Sequence, residues 1–419
     1  MLLQMVEVLK PVAGRLTGRG RAARLLAEPP RAVVLALCAA VLGLRRAEAW
    51  SNPQFWAEDG YFYERSYVTG WHSLYLPYAG YLHAVPRAVA TLAVHLDPAL
   101  APGFFVLLAT LLTLYVSARV LSPRCPLPRY AGLAAMAVVL VPDTREVLLN
   151  IVNLQWVLAG GLILLLIARD PTGWAQWGHD AGAALFLGLT GPFSILLLPL
   201  FVGRAWSRRT IPSAALAALV AACALAQGVC LIMQPSGEPA VPGSWGAARL
   251  ILPAVAQRIG GSLAMGSLLP QGAGLGVGTL GGILTLAGVG FLAMRPGPMR
   301  AERLMLGLAF LAILLASLFR TRGTLHEYFT PHSNSRYMFV PQLLAVWLLV
   351  EAACRKGRIA TCAAVVLTVS LAVNLPRLRE PAYADMQWAR YVPKIRAGEA
   401  LKIPINPPGW ILTLPAMPK

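Results

Sequence analysis

From residue 30 onwards, long apolar runs alternate with short polar breaks. The runs fall at 30–46, 85–118, 130–147, 149–168, 181–203, 211–233, 274–294, 303–319, 336–353 and 359–375. Several reach the roughly 20 helical residues that a bilayer core requires. The pattern predicts an all-α polytopic membrane protein with about nine to eleven transmembrane helices. Run 85–118 contains Asp97-Pro98 and Pro102 and divides into an amphipathic segment followed by a true span.

Run 181–203 breaks the alternation. It is flanked by "RDPTGWAQWGHD" and by Arg204, Arg208 and Arg209, so a single crossing leaves one basic flank on the wrong side. "GLTGPFSILLLP" carries a Gly-Pro break near its middle. Two half-helices returning to one face restore the parity, and such backbone is tolerated where protein buries it. The alternative is an ordinary span that violates the charge rule.

Arginine-bearing loops at 10–24, 119–129, 204–209, 295–303 and 355–358 set the orientation. With these in the cytoplasm, residues 1–29 form a cytoplasmic segment and 30–375 a transmembrane domain. Loop 47–84 and tail 376–419 then both lie outside. "RAVVLALCAAVLGLRRAEA" imitates a signal peptide, but some thirty residues precede it and Arg45-Arg46 separate its core from the Ala47-Glu48-Ala49 site. We read it as a retained first helix. The glycines of "GLGVGTLGG" (274–282) are helix-packing residues of small-xxx-small type. No internal repeat is evident, which counts against inverted-repeat transporter plans.

Composition agrees: 57% of residues are hydrophobic and only 13% charged, against about a quarter charged in soluble proteins. The net charge of +18 is spread through short clusters between apolar runs, so nucleic-acid binding is excluded. None of the six cysteines forms a CxxC pair, and neither a zinc site nor a disulfide framework is indicated.

Against this background the first outer loop stands apart. "WAEDGYFYERSYVTGWHSLYLPYAGYLHAVPR" places Glu58 and Asp59 side by side near the membrane surface, where a carboxylate is costly unless paired or used. Their mutual repulsion raises one pKa and suits it to accept a proton. Tyr61, Tyr63, Tyr75, Tyr78 and Tyr81, with Trp56 and Trp71, form an interfacial belt or a platform for sugar rings. His83 adds a titratable group, and "PYAGYLHAVPR" is a tight turn that sets Arg87 near the membrane plane.

The architecture and the position of Glu58-Asp59 just after the first helix resemble the membrane-embedded glycosyltransferases of the GT-C type. Protein O-mannosyltransferases, dolichol-phosphate-sugar-dependent mannosyltransferases and the bacterial aminoarabinose transferase belong to this group. The chain also resembles a set of uncharacterised bacterial membrane proteins carrying "FWAEDG", "PYAGYLH", "GPFS" and a late "SRY". It lacks the soluble outer domain of the larger enzymes. The resemblance implies a polyprenyl-phosphate-linked sugar as donor, an envelope glycan, lipid or protein as acceptor, and inverting displacement at the anomeric carbon. It implies Asp59 as general base, with Glu58 as orienting partner; the two are also candidate ligands for an optional Mg or Mn ion.

The departing lipid phosphate needs positive charge. "LFRTRGTLHEYFTPHSNSRYMFVPQ" supplies Arg320, Arg322, His332 and Arg336. Arg336-Tyr337 opens the next helix, where a guanidinium can grip a phosphate bidentately. We expect Arg336, Tyr337, Arg320, Arg322 and Arg87 around the donor phosphate. In "DTREVLLNIVNLQW", the i, i+4, i+7 spacing of Glu146, Asn150 and Asn153 puts them on one helix face with Trp156 beyond. That face is interhelical glue or a lined cavity. These four, with Tyr61, Tyr78, Tyr81, His83, His332 and Trp410, are the expected substrate contacts. The alternative function is a transporter or flippase of a lipid-linked saccharide. A non-catalytic partner in envelope assembly is the third reading. Localisation to the bacterial cytoplasmic membrane, among its lipids, follows from the first two.

Overall fold

The structure, a computed structural model, describes residues 30–127, 131–142, 145–234, 248–265, 275–330 and 333–416. It is predominantly helical. The longer helices are α1 (Arg31–Arg45), α2 (Glu58–Thr69), α3 (Ala84–Ala93), α4 (Ala101–Val120), α5 (Ala131–Leu140) and α6 (Leu154–Ile167). They continue as α7 (Trp174–Gly188), α8 (Phe193–Arg208), α9 (Ile211–Met233), α10 (Leu275–Met294), α11 (Arg300–Arg320), α12 (Ser335–Ala353) and α13 (Arg358–Asn374).

Among the described residues, six helices are long and apolar enough to cross a membrane: Pro98–Val120, Ile211–Met233, Leu275–Met294, Arg300–Arg320, Ser335–Ala353 and Arg358–Arg377. This is the make-up of a multi-pass membrane protein. Helix α6 is buried along nearly its whole length, whereas only 11% of the α13 window is buried.

Run 85–118 divides as its prolines require. Helix α3 ends at Ala93, Asp97 caps a short turn by accepting the Ala99 N–H at 2.8 Å, and α4 follows. Run 181–203 is two helices, α7 and α8, joined by a turn at Thr190-Gly191-Pro192. Their far ends meet at one end of the bundle. There Arg204 donates to the Leu165 and Ala168 carbonyls and to Asp170, Arg208 donates to Asp170, and Arg124 reaches Asp180 and the Arg169 carbonyl. The α7–α8 tip reaches the opposite end, where Ala84 N–H donates to Leu189 O and Gly191 N–H to Leu82 O, both at 3.1 Å. Fifteen to sixteen residues per helix cover about 22–24 Å, enough to link the two ends.

Three expectations need correction. Runs 130–147 and 149–168 shorten to α5 and α6, because Pro142 and the turns at 145–153 interrupt them. The tail adds a strand pair to the expected all-α architecture. β1 (Leu401–Ile405) pairs antiparallel with β2 (Trp410–Leu414) in register Leu401↔Leu414 to Ile405↔Trp410. The alternation that buries Ile403, Ile405, Leu412 and Leu414 is the period of a half-buried strand. Residues 251–265, absent from the expected spans, form a broken helical segment with π-turns at Ala256–Gly261. Gly278 and Gly282 of α10 admit it: a Cβ at Gly282 would collide with the Leu252 backbone, and one at Gly278 would lie 3.0 Å from Pro253.

The hairpin packs on α2. Gly60 leaves room for the Ile405 side chain, Ala57 N–H donates to the Asn406 carbonyl, and Asn406 N–H donates to Phe55 O at 3.2 Å. Loop 47–84 and tail 376–416 thus meet at one end of the bundle.

Candidate functional site

Helix α2 begins where Ala57 adopts φ 45°, a left-handed conformation disfavoured for a residue with Cβ. This strain sets Glu58 and Asp59 in the first helical turn, where the helix dipole favours negative charge. The two side chains then diverge. Asp59 is buried, at 2% exposure. Its carboxylate accepts the Val152 N–H at 2.7 Å and the Ile151 N–H at 3.5 Å. Burial pushes its pKa up to about 8 against the opposing pull of those donors, and the neighbouring Glu58 charge adds to the rise. Glu58 is half-buried and lies within Coulombic reach of Tyr78 and Arg336.

The 145–153 segment is not a helix face. Leu149 is left-handed at φ 63°, Asn150 Nδ2 donates to Glu146 O at 2.8 Å, and Asn150 Oδ1 accepts the Asn153 N–H at 3.0 Å. The expected i, i+4, i+7 alignment fails because Asn side chains compete with the backbone for its hydrogen bonds and close turns instead. Asn150 is occupied by that turn. Glu146 is near Ser335 (3.5 Å) and, with Glu58, acts on the Arg336 guanidinium. The buried Asn153 Nδ2 and Trp156 Nε1 have no hydrogen-bond partner among the described residues. The Trp156 ring meets Tyr337 and Phe193, both at 5.2 Å.

On the other flank, Tyr78 and Tyr81 exchange backbone hydrogen bonds of 2.8 and 3.0 Å around Ala79 (φ 50°) and Gly80 (φ 87°), a two-residue turn with positive φ at both positions. His83 Nε2 sits 3.1 Å from the Tyr78 carbonyl, which assigns the ring proton to that nitrogen. Burial lowers its pKa to about 4, so His83 stays neutral at pH 7 and serves the turn. The rings of Tyr61 and Tyr78 meet tilted at 38°, with centroids 4.7 Å apart.

Arg87 is 0% exposed. Its guanidinium carbon lies 4.8 Å from the Phe62 ring and 5.4 Å from Tyr61. Tyr61 and Tyr78 lie within its Coulombic reach. Among the described residues none of its three guanidinium nitrogens has a well-aligned acceptor, and the Tyr61 side chain is the polar group that supports its charge. A buried cation without a well-aligned acceptor is costly, and an anion would satisfy it.

The structure therefore brings Glu58, Tyr61, Tyr78, Arg87, Glu146, Trp156, Arg336 and Tyr337 to one end of the bundle. Arg320 is exposed and acts on Tyr81 at the margin. Arg322 folds back on its own helix, donating to Phe319 O at 2.8 Å with its guanidinium 4.3 Å from the Phe319 ring, which removes it from the expected phosphate set. Trp410 stands partly exposed on the hairpin, and His332 lies outside the described residues. Arg45 and Arg46 are tied to Glu380 at 2.9 and 2.8 Å.

Sequence reading missed two residues. Arg258, on the π-turn segment, donates to the carbonyls of Tyr328 (2.7 Å), Thr330 (2.6 Å) and Ser333 (2.7 Å), fixing the loop that precedes Arg336. An arginine within an apolar stretch was the available signal. Tyr383 of the tail stacks on Trp56 at 4.7 Å beneath Arg46 at 3.8 Å and lies within reach of Asp59.

The candidate metal set is poor. No group of three His, Cys, Asp or Glu side chains gathers among the described residues, and the Asp59 oxygens already accept backbone N–H groups. Glu58 and Asp59 do not fit a divalent cation in this geometry, and no step below passes through one.

A bundle of apolar helices with an acidic, basic and aromatic site at one end defines a polytopic membrane protein with a polar end-site. No known protein family, curated protein or solved structure matches the chain.

Proposed function

We propose that this protein is an inverting glycosyltransferase of the GT-C type. It moves a sugar from a polyprenyl-phosphate donor to an envelope glycan, lipid or protein acceptor on the extracytoplasmic side of the bacterial cytoplasmic membrane. The observation that carries the reading is Arg87, a buried guanidinium with no well-aligned acceptor among the described residues, beside a tyrosine that also lies in reach of Glu58 and Arg336.

In this reading the donor phosphate sits against Arg87, with Arg336, also in reach of Tyr78, adding charge. The unpartnered Asn153 Nδ2 and Trp156 Nε1 donate to sugar hydroxyls, and the faces of Tyr61 and Tyr337 carry the ring. Glu58 takes the proton of the acceptor hydroxyl. That oxygen attacks the anomeric carbon, the bond to the lipid phosphate breaks, and polyprenyl phosphate departs with its charge met by the arginines. Asp59 was the expected base. Its burial beneath Ile151 and Val152 moves the assignment to Glu58 and leaves Asp59 holding the 145–153 segment in place.

Purified protein supplied with a polyprenyl-phosphate sugar should release polyprenyl phosphate. Glu58→Gln should slow release about 10²–10⁴-fold, the usual contribution of a general base. Loss confined to Asp59→Asn would return the base to Asp59. Undiminished release by both variants would sink the enzyme reading, and sugar crossing vesicles without lipid-phosphate release would favour the transporter.

A further inference from the structure

A cavity of about 210 Å³ runs between α5, α12 and α13, lined by none of the residues of the Arg87 site. Its walls are apolar, with Leu133, Met136, Leu140, Val346, Val350 and Leu371 on three helices. The stretch from Leu133 to Leu140 alone extends it over roughly 10 Å along the helix axis. It is a slot parallel to the helices, shaped for a chain. A gap of this kind forfeits dispersion contacts on both sides if empty, and so apolar a slot does not hold water.

Two further observations say what fills it. Helix α13 is the least buried of the six long apolar helices, at 11%, so most of its surface is not covered by protein. At the Asn374–Leu378 end of the slot, where the chain leaves α13 as "LPRLRE", Arg377 and Arg379 are both exposed. Arg377 donates to the Val373 carbonyl of its own helix, at 2.6 Å, and Arg379 makes no hydrogen bond or ion pair among the described residues. The one acid of this stretch, Glu380, is drawn to Arg45 and Arg46 instead.

We infer that the slot between α5, α12 and α13 holds one acyl chain of an anionic glycerophospholipid whose phosphate is gripped by Arg377 and Arg379. The chain supplies the packing that α13 lacks. The headgroup neutralises the two guanidinium groups at the height of the Arg45–Glu380 seam. The bound lipid thus anchors α13, and with it the tail that folds over α2. This site is separate from the one under Proposed function and stands or falls independently of it.

The test uses full-length protein in detergent with phosphatidylglycerol carrying a photoreactive group on one acyl chain, and phosphatidylcholine of the same chain as control. Phosphatidylglycerol should label peptides of α5, α12 or α13 several-fold more strongly than phosphatidylcholine. Thr368→Trp, placed on an exposed position of the slot wall, should abolish that labelling. The double variant Arg377→Gln/Arg379→Gln lies on the surface and leaves the fold intact; it should equalise the two lipids. Equal labelling by both lipids in the unaltered protein would overturn the inference. So would labelling indifferent to Thr368→Trp, or displacement by polyprenyl phosphate but not by unlabelled phosphatidylglycerol.

Discussion

Arg87→Met is the most informative single perturbation. The side chain is 0% exposed, and none of its nitrogens has a well-aligned acceptor among the described residues. The effective cost of keeping one ion in a protein interior is several kcal/mol. Part is returned by the rings of Phe62 at 4.8 Å and Tyr61 at 5.4 Å, at about 0.5–2 kcal/mol for such cation–π contacts. Methionine keeps the packing of the stem and discards the charge. The ligand-free variant should therefore be more stable than the parent by roughly 1–3 kcal/mol, in line with the gain when buried charges give way to apolar residues. In function the sign reverses, since the variant leaves the donor phosphate without its buried cation. The assay is apparent thermal unfolding in detergent, with and without polyprenyl phosphate, alongside lipid-phosphate release. The parent should unfold a few degrees below the variant without lipid and should gain stability from lipid by mass action, while the variant gains little. A variant that is less stable yet fully active would refute the reasoning, because it would mean that Arg87 serves the fold and not an anion.

Three other outcomes follow from particular residues. Because the folded pKa of Asp59 is raised from 3.8 to about 8, its contribution to stability is fully present below pH 4 and is lost as pH rises towards 8; Asp59→Asn should flatten that decline, and parallel melting profiles from pH 5 to 8.5 would contradict it. Gly282→Ala places a Cβ against the Leu252 backbone, which cannot move as a flexible side chain does; a loss of about 1–3 kcal/mol is expected by thermal unfolding. Ala79→Gly relieves a left-handed residue at φ 50° in the Tyr78–Tyr81 turn, so the variant should match or exceed the parent in stability, the released strain of about 1 kcal/mol being partly offset by glycine's greater freedom when unfolded.

What the linear chain determined is the set of apolar helices and the places where they break. Helix α9 coincides with its run at 211–233, and α10, α11, α12 and α13 lie within a few residues of theirs, because hydropathy over about twenty residues is a local sum that tertiary contacts scarcely alter. The Gly191-Pro192 break and the prolines at 98 and 102 were equally legible, since backbone restrictions act on the spot. The Tyr78–Tyr81 turn was legible for the same reason. Tertiary structure alone decided which polar groups have partners. Nothing near Asp59 in the chain says that Val152, 93 positions away, satisfies its carboxyl group. Nor could spacing show that Arg87 is buried with no well-aligned acceptor among the described residues. Whether a buried charge is satisfied depends on atoms brought within 3 Å by folding, and those atoms come from residues a hundred positions apart.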